Sequence, residues 1–204
     1  MRTMRFGVVC LCVLLLAGCS IGKPIPQPET YAVAPPLPEP APTATRRPET
    51  LRLGSVRVVA AYSGTPLIYR MDDVKFETDP YHVFIAEPGR MLADQMTTWL
   101  DRAGPFRTVA ESESAGSAPY VLEATVTELY GDFRPGQTPG AALTIRFLLI
   151  DQTGTRPKTV FERTLGRRVD LPRAKPDALV RGYGDALAGI LTELTTDLRN
   201  TIPH

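Results

Sequence analysis

The side chain best placed for chemistry in this sequence is the thiol of Cys19. The other two of its three cysteines lie within the apolar run of residues 6–16, whereas Cys19 directly follows two small residues. Arg2 and Arg5 precede that apolar run, which is the arrangement of a secretory signal peptide. The run is too short to cross a bilayer, because a transmembrane helix needs roughly 20 apolar residues. The spacing therefore predicts an export signal that ends beside a nucleophilic thiol.

The residues around this cysteine resemble the lipobox of bacterial lipoproteins. Leu16, two small residues and Cys19 occupy the four positions of that motif. The resemblance implies that the thiol becomes a diacylglycerol thioether and that a peptidase then removes residues 1–18. Two or more acyl chains anchor a protein stably, since each buried methylene contributes about 0.8 kcal/mol. The alternative is an ordinary signal peptide with an incidental cysteine after its cleavage site.

The position after the cysteine and the overall charge bear on location and partners. In the sorting pattern that this start resembles, a serine at the position of Ser20 directs a lipoprotein to the outer membrane rather than the inner membrane. Cys19 would be the only cysteine of the mature chain, so no disulfide is expected and stability must come from hydrophobic burial. The formal net charge of +1 lacks the basic stripe of a nucleic-acid-binding domain, so no nucleic-acid partner is expected.

Outside Cys19, the sequence contains no recognisable catalytic or metal-binding motif. With only two histidines, His82 and His204, a metal site would have to rely on carboxylates, and no hydrolase, dithiol or phosphate-binding motif occurs. His82 is expected in a partly exposed loop. Asp72 and Asp73 are adjacent, so on a hairpin their side chains point in different directions and suit turn capping better than acid–base work. These residues predict a protein that is not an enzyme and binds no metal or cofactor.

Two other groups of residues have both a functional and a structural interpretation. Residues 163–173 carry four arginines around Asp170, which would suit lipid headgroups or an acidic partner, or simply a solvated strand face. Gly182 and Gly184 flank a tyrosine inside a helical pattern. A nucleotide-binding loop does not fit that pattern, so close helix packing is the better explanation of the glycines.

The elements that would position these residues begin after a proline-rich segment. Residues 19–50 are dense in proline, which removes amide donors, fixes φ and favours an extended tether, with residues 30–33 as a short strand at most. The folded domain is expected at residues 51–204. Its extended segments are predicted at residues 51–59, 67–70, 74–77, 81–85 and 106–109, followed by an antiparallel meander at 120–130, 142–150 and 158–169.

Two helices complete the domain. One begins at Pro88 and ends before Gly104, and the other begins at Pro176 and carries an apolar stripe from Leu179 to Leu198. The order of strands, helix, strands and helix favours an α+β fold, a mostly antiparallel sheet with two helices packed on one face.

Four features carry a resemblance to a known family. They are the lipobox at Cys19, the sequence Leu-Gly-Ser-Val-Arg-Val at 53–58, the sequence Leu-Ile-Tyr-Arg at 67–70, and an aromatic stretch with Tyr81 and Phe84 before a helix. On these features the chain resembles the ABC-type transport auxiliary lipoproteins, which include the PqiC-like proteins. The resemblance implies an α+β periplasmic domain without catalytic residues.

The resemblance also implies a function and a set of partners. The chain would be a lipid-anchored accessory on the periplasmic face of the outer membrane. Its partners would be the MCE-domain protein and the ABC transporter components of a system that moves lipids or other hydrophobic molecules between the inner and outer membranes. Some members assemble as rings, so a homo-oligomer is a further expectation. Tyr69, Arg70, Tyr81 and Phe84 are the residues expected to face a partner.

Two other functions stay open at this point. One is a structural lipoprotein that assists assembly of an outer-membrane complex, and the other is a periplasmic hydrolase. A buried polar cluster near His82 would favour the hydrolase. An exposed apolar patch at residues 81–85 would favour docking.

Overall fold

Eight strands and two α-helices make up the part of the chain that the structure, a computed structural model, describes: residues 27–110 and 118–202. In chain order they are β1 (Glu29–Tyr31), β2 (Arg47–Val58), β3 (Pro66–Arg70), β4 (Phe76–Phe84), α1 (Pro88–Ala103), β5 (Phe106–Ala110), β6 (Tyr120–Asp132), β7 (Gly140–Asp151), β8 (Lys158–Asp170) and α2 (Pro176–Thr201). The predicted signal peptide and Cys19 lie outside the described residues.

The fold is α+β, as predicted, and most of the paired residues of its sheet are antiparallel. Strands β6, β7 and β8 form the expected meander, in which Tyr120 faces Asp151 and Gly140 faces Asp170. The other edge of β6 is shared by two strands: β2 runs along its first part and β3 joins its end. Those two pairings are parallel, as are β2 with β5 and β1 with β4.

Both helices cover the same face of the sheet, as expected. Helix α2 packs on β7 and β8, while α1 packs on β2 and β5. Eight residues of α2 are completely buried on that side: Leu179, Tyr183, Ala186, Leu187, Ile190, Leu191, Leu194 and Leu198. A Cβ on Gly182 would lie 2.6 Å from Leu171 Cδ2 and 2.7 Å from Ala141 Cβ. The prediction that this glycine permits close helix packing is therefore confirmed.

The hairpin of β3 and β4 differs from its prediction at two places. The segment expected as a strand from residue 74 starts only at Phe76, because Asp72 caps a turn: its Oδ1 accepts the amide N–H groups of Val74 (2.8 Å) and Lys75 (2.6 Å). The prediction of turn capping is thus confirmed for Asp72. Of the two expectations for His82, the extended segment at 81–85 is confirmed and the loop is wrong, since β4 continues through it to Phe84; the side chain is partly exposed, as expected.

The second part of the proline-rich segment lies against the domain. Val33 is 1% exposed. The amide of Ala41 donates to Arg102 O (3.0 Å), and Arg46 donates to the carbonyls of Asp101 (2.6 Å) and Arg102. These carbonyls form the C-terminal end of α1, where partial negative charge attracts a cation. Strand β2 then begins at residue 47, ahead of the expected 51.

Candidate functional site

Exposed apolar side chains concentrate on the hairpin of β3 and β4. Five large apolar side chains are exposed in the described chain, and four of them belong to this hairpin or follow it directly. Val74 (90%) and Phe76 (44%) lie at its turn, which we call the tip end (residues 70–76). Tyr81 (50%) and Ile85 (66%) lie at the opposite end, which we call the entry end (residues 79–85) because the chain enters the sheet there through β1.

At the tip end, one exposed aromatic side chain belongs to a small aromatic cluster. The ring centroid of Phe76 lies 5.5 Å from that of Tyr130, edge to face, and 6.4 Å from that of Tyr62. Ile68 is buried beside them on the sheet face that the helices do not cover. Edge-to-face contacts of this kind contribute about 0.5–1.5 kcal/mol beyond the burial of the rings. Phe76 is therefore fixed, while Val74 projects from the turn beside it.

A network of arginine and aspartate side chains fastens the tip end to the rest of the sheet. Arg134 donates from Nε and Nη2 to Oδ1 and Oδ2 of Asp132, both at 2.9 Å, in the bidentate geometry that suits guanidinium and carboxylate. Its Nη1 donates to Asp73 Oδ1 (2.9 Å), on the hairpin turn. Arg70 reaches the same oxygen at 3.4 Å. The hydrogen bonds from Arg134 lower the pKa of Asp132 although its side chain is only 4% exposed.

The four residues predicted to face a partner point in different directions. Tyr81 is exposed, and Arg70 is partly exposed with its Nε donating to Asp72 O (3.0 Å). Tyr69 turns inward, with its ring stacked on Phe133 at a centroid distance of 4.9 Å. Phe84 is 4% exposed and belongs to the core. Phe84 therefore offers no side-chain surface to another molecule, Tyr69 offers part of its ring, and Tyr81 and Arg70 face outward.

A hydrogen-bond network around Asp79 organises the entry end. Oδ1 of Asp79 accepts the amide N–H groups of Tyr81 (2.9 Å) and His82 (3.2 Å), while Oδ2 accepts Tyr69 Oη–H (2.9 Å) and lies 2.6 Å from His82 Nδ1. Burial alone would raise the pKa of Asp79, but these hydrogen bonds outweigh it, so the pKa is lowered. The carboxylate is thus satisfied on both oxygens.

An aspartate that orients a histidine is also part of many hydrolytic sites, so the pair of Asp79 and His82 is compared with the requirements of such a site. Such a site requires a hydroxyl or thiol within hydrogen-bond reach of the imidazole. Within residues 27–110 and 118–202, His82 makes its side-chain hydrogen bond to Asp79 alone. No group of three or more metal-ligating side chains occurs in those residues either. The geometry of Asp79 supports a structural role, which is to hold the bulged backbone of residues 80–82.

Asp79, Asp132 and Arg134 were not singled out from the sequence. The last two are separated by one residue at a strand end, which places them on one face, and this spacing is the one local signal that could have revealed their pairing. The contact between Arg134 and Asp73 joins residues 61 positions apart, so no local pattern reports it.

The arginine-rich residues of β8 and its following loop are paired within the chain. Arg163 and Arg167 reach Glu193 on α2, the former at 3.3 Å. Arg168 pairs with Asp170, and Arg173 lies 2.6 Å from Asp177. Of the two interpretations of this run, an open cationic surface is therefore the weaker one.

Comparison with known proteins gives a family and a fold. A family model described as the ABC-type transport auxiliary lipoprotein component matches residues 31–195. The fold is similar to the crystal structure of protein XCC0632 from Xanthomonas campestris, of the family DUF330, with a TM-score of 0.72 and 17% identity over 85% of this chain and 96% of that one. A second crystal structure, of an uncharacterized protein, has a TM-score of 0.65 and 14% identity over 84% of this chain and 99% of the other. No curated protein matches the sequence. Neither described helix combines the length and apolarity of a membrane span.

Proposed function

The chain belongs to the family of ABC-type transport auxiliary lipoprotein components, and on that premise we propose that it is the lipid-anchored periplasmic accessory of an MCE-type ABC system. That system would move lipids or other hydrophobic molecules between the inner and outer membranes. The lipobox at Cys19 supports the anchor, and Ser20 supports the outer membrane as its location. In this proposal the protein contributes binding rather than catalysis.

The observation that carries the docking role is the exposed apolar pair at the tip end. Val74 and Phe76 are displayed on a turn that Asp72 caps and that the contact between Arg134 and Asp73 holds in place. A surface that is already ordered loses little conformational entropy on binding, which favours affinity. We propose that this end, together with Arg70, faces the MCE-domain protein.

The two competing functions make different demands. A hydrolase would need a nucleophile at His82, and the hydrogen bonds of the described residues supply none. A structural envelope lipoprotein needs the anchor and a docking surface as well, so only a transport measurement separates it from the accessory role.

Site-specific photocrosslinking in cells of the native host tests the docking surface. A photoreactive amino acid at position 74 should capture the MCE-domain protein of that host, because Val74 is 90% exposed at the tip end. The matched control is position 37, because Leu37 is also exposed (60%) but lies on the proline-rich segment. Equal capture at both positions, or capture at position 37 only, would contradict the proposed surface.

A transport assay tests the accessory role itself. Deletion of the gene should slow phospholipid transfer between the two membranes, and the wild-type chain should restore it. Cys19→Ala should not, since the domain would leave the membrane. Unchanged transfer in the deletion strain would support the structural alternative instead.

A further inference from the structure

The entry end of the hairpin lies where the proposed lipid anchor joins the domain. Strand β1 runs parallel to β4 with Glu29 opposite His82, and the amide of Ile85 donates to Tyr31 O (2.9 Å). Ten peptide bonds connect Cys19 to Glu29. Even a fully extended chain of that length spans no more than about 35 Å. An acylated Cys19 would therefore keep the entry end close to the membrane surface.

The side chains exposed at the entry end suit the boundary between lipid and water. Ile85 is 66% exposed and purely apolar, and Tyr81 is 50% exposed and combines an apolar ring with a hydroxyl. Tyrosine is enriched at membrane interfaces for that reason. Both are held in place, since the amide of Tyr81 donates to Asp79 and that of Ile85 donates to β1.

Two arginines flank the first turn of α2, which lies beside β1. A groove of about 230 Å³ lies between β1 with its following residues and the start of α2, and it is lined by Tyr31, Asp177 and Arg181 among others. Asp177 accepts hydrogen bonds from both Arg173 and Arg181, whose side chains are 59% and 70% exposed. Guanidinium groups that are this exposed can also donate to the phosphates of a lipid surface.

We infer that the entry end docks on the phospholipid surface that carries the anchor, with Tyr81 and Ile85 inserted among the headgroups. This inference rests on the proposed lipidation of Cys19. The tether makes the contact intramolecular in effect, so two side chains suffice where they would not hold a free protein. The tip end lies beyond β3, whose five residues span about 16 Å, and it faces away from this contact.

Fluorescence quenching on vesicles tests the contact with the full, lipidated chain. After removal of residues 1–18 and acylation of Cys19, an introduced cysteine is the sole free thiol. Ile85→Cys and Val74→Cys are matched variants, because both replace an exposed β-branched residue of the hairpin. Each is labelled with the same fluorophore and reconstituted into vesicles of phosphatidylethanolamine and phosphatidylglycerol that contain a spin-labelled lipid. We expect severalfold stronger quenching at position 85 than at position 74.

The other outcomes are distinguishable. Equally weak quenching at both positions, in protein that floats with the vesicles, overturns the contact and leaves the anchor intact. Stronger quenching at position 74 overturns the orientation. If the fluorophore at position 85 is not quenched in vesicles but becomes protected from a soluble quencher when MCE-domain protein is added, the entry end binds a protein partner instead. Failure of the wild-type chain to float overturns the lipidation, and the proposed function with it.

Discussion

The tip end and the entry end belong to the same hairpin and each displays two large apolar side chains, but they are fixed in different ways. At the tip end, ion pairs among Asp73, Arg134 and Asp132 hold the turn from outside the hairpin. At the entry end, one carboxylate, that of Asp79, collects hydrogen bonds from within the hairpin, and Phe84 fills the core directly behind it.

Because the two ends are fixed independently, one hairpin can present two separate surfaces. The turn at the tip end is held by ion pairs with residues that are distant in the sequence. The entry end is held by local hydrogen bonds and by the burial of Phe84 in the core. Substitutions should therefore separate three groups of residues: the inward residues at the entry end, the charged network at the tip end, and the exposed side chains of both ends.

Phe84→Ala should have the largest effect. Truncation of a buried phenylalanine typically costs about 3 kcal/mol or more, through lost burial and the cavity left behind, and Phe84 lies with its ring centroid 6.1 Å from that of Tyr183. Urea denaturation measures the change in the free energy of unfolding. Tyr81→Ala is the control three residues away, and we expect it to remain within about 0.5 kcal/mol of the wild type. If both variants lost the same free energy of unfolding, the inward and outward sides of the entry end would contribute equally to stability.

Most elements of this architecture can be predicted from the sequence, since they depend on local periodicity. The apolar stripe of α2 and the alternation in β6 and β7 are strong enough to predict the helix, the meander and the fold class. Alternation along β3 also indicates that Tyr69 shares the inward face of Leu67, which argues against a place for Tyr69 on a partner surface.

The rest could not be predicted because it depends on distant residues. The parallel pairing of β2 with β5 and β6, and of β1 with β4, leaves no local pattern. Strand β4 has three extra residues between the pairs Leu67–Asp79 and Pro66–Val83, and no local sequence pattern predicts them either. The candidate surface was therefore predicted in part: Arg70 and the exposed stretch from Tyr81 to Ile85 were predicted, and Val74 and Phe76 were not.

Asp132→Asn should have the next largest effect and should act on the tip end. The substitution keeps the shape of a side chain that is 4% exposed but removes the charge that accepts two hydrogen bonds from Arg134. Hydrogen bonds to charged groups contribute about 1.5–3 kcal/mol, so we expect a loss of about 2 kcal/mol in urea denaturation. Asp170→Asn is the control, because Asp170 pairs with Arg168 at an exposed position where such pairs contribute little.

The same variant has a pH dependence with a defined sign. Because the folded state lowers the pKa of Asp132, its contribution is complete above the unfolded value of about 3.9 and is lost as the pH falls through the folded pKa. The difference in unfolding free energy between the wild type and Asp132→Asn should therefore shrink below about pH 4. A difference that stays constant down to pH 2 would assign the effect to shape rather than charge.

Tyr69→Phe should have the smallest effect of the three and tests the entry end. It removes a single hydrogen bond, from the hydroxyl to the charged Asp79 Oδ2, and keeps the ring stacked on Phe133, so we expect a loss of about 1.5 kcal/mol, the low end of the range for such bonds. Tyr31→Phe is the matched control, since its hydroxyl also donates to a carboxylate, Glu29 at 2.6 Å, but at an exposed position. The hydrogen bond to Glu29 raises the pKa of Tyr31 to about 12. Because this pair is exposed, we expect its loss to change the free energy of unfolding little.

Amide hydrogen exchange shows which part of the hairpin Tyr69→Phe loosens. The amides of Tyr81 and His82 both donate to Asp79, so a carboxylate loosened by Tyr69→Phe should let them exchange faster. The amides of Val74 and Lys75, which depend on Asp72 at the tip end, should be unchanged. If both pairs of amides accelerate together, the two ends open as one unit, and the separation between a folding-linked entry end and an externally fastened tip end is lost.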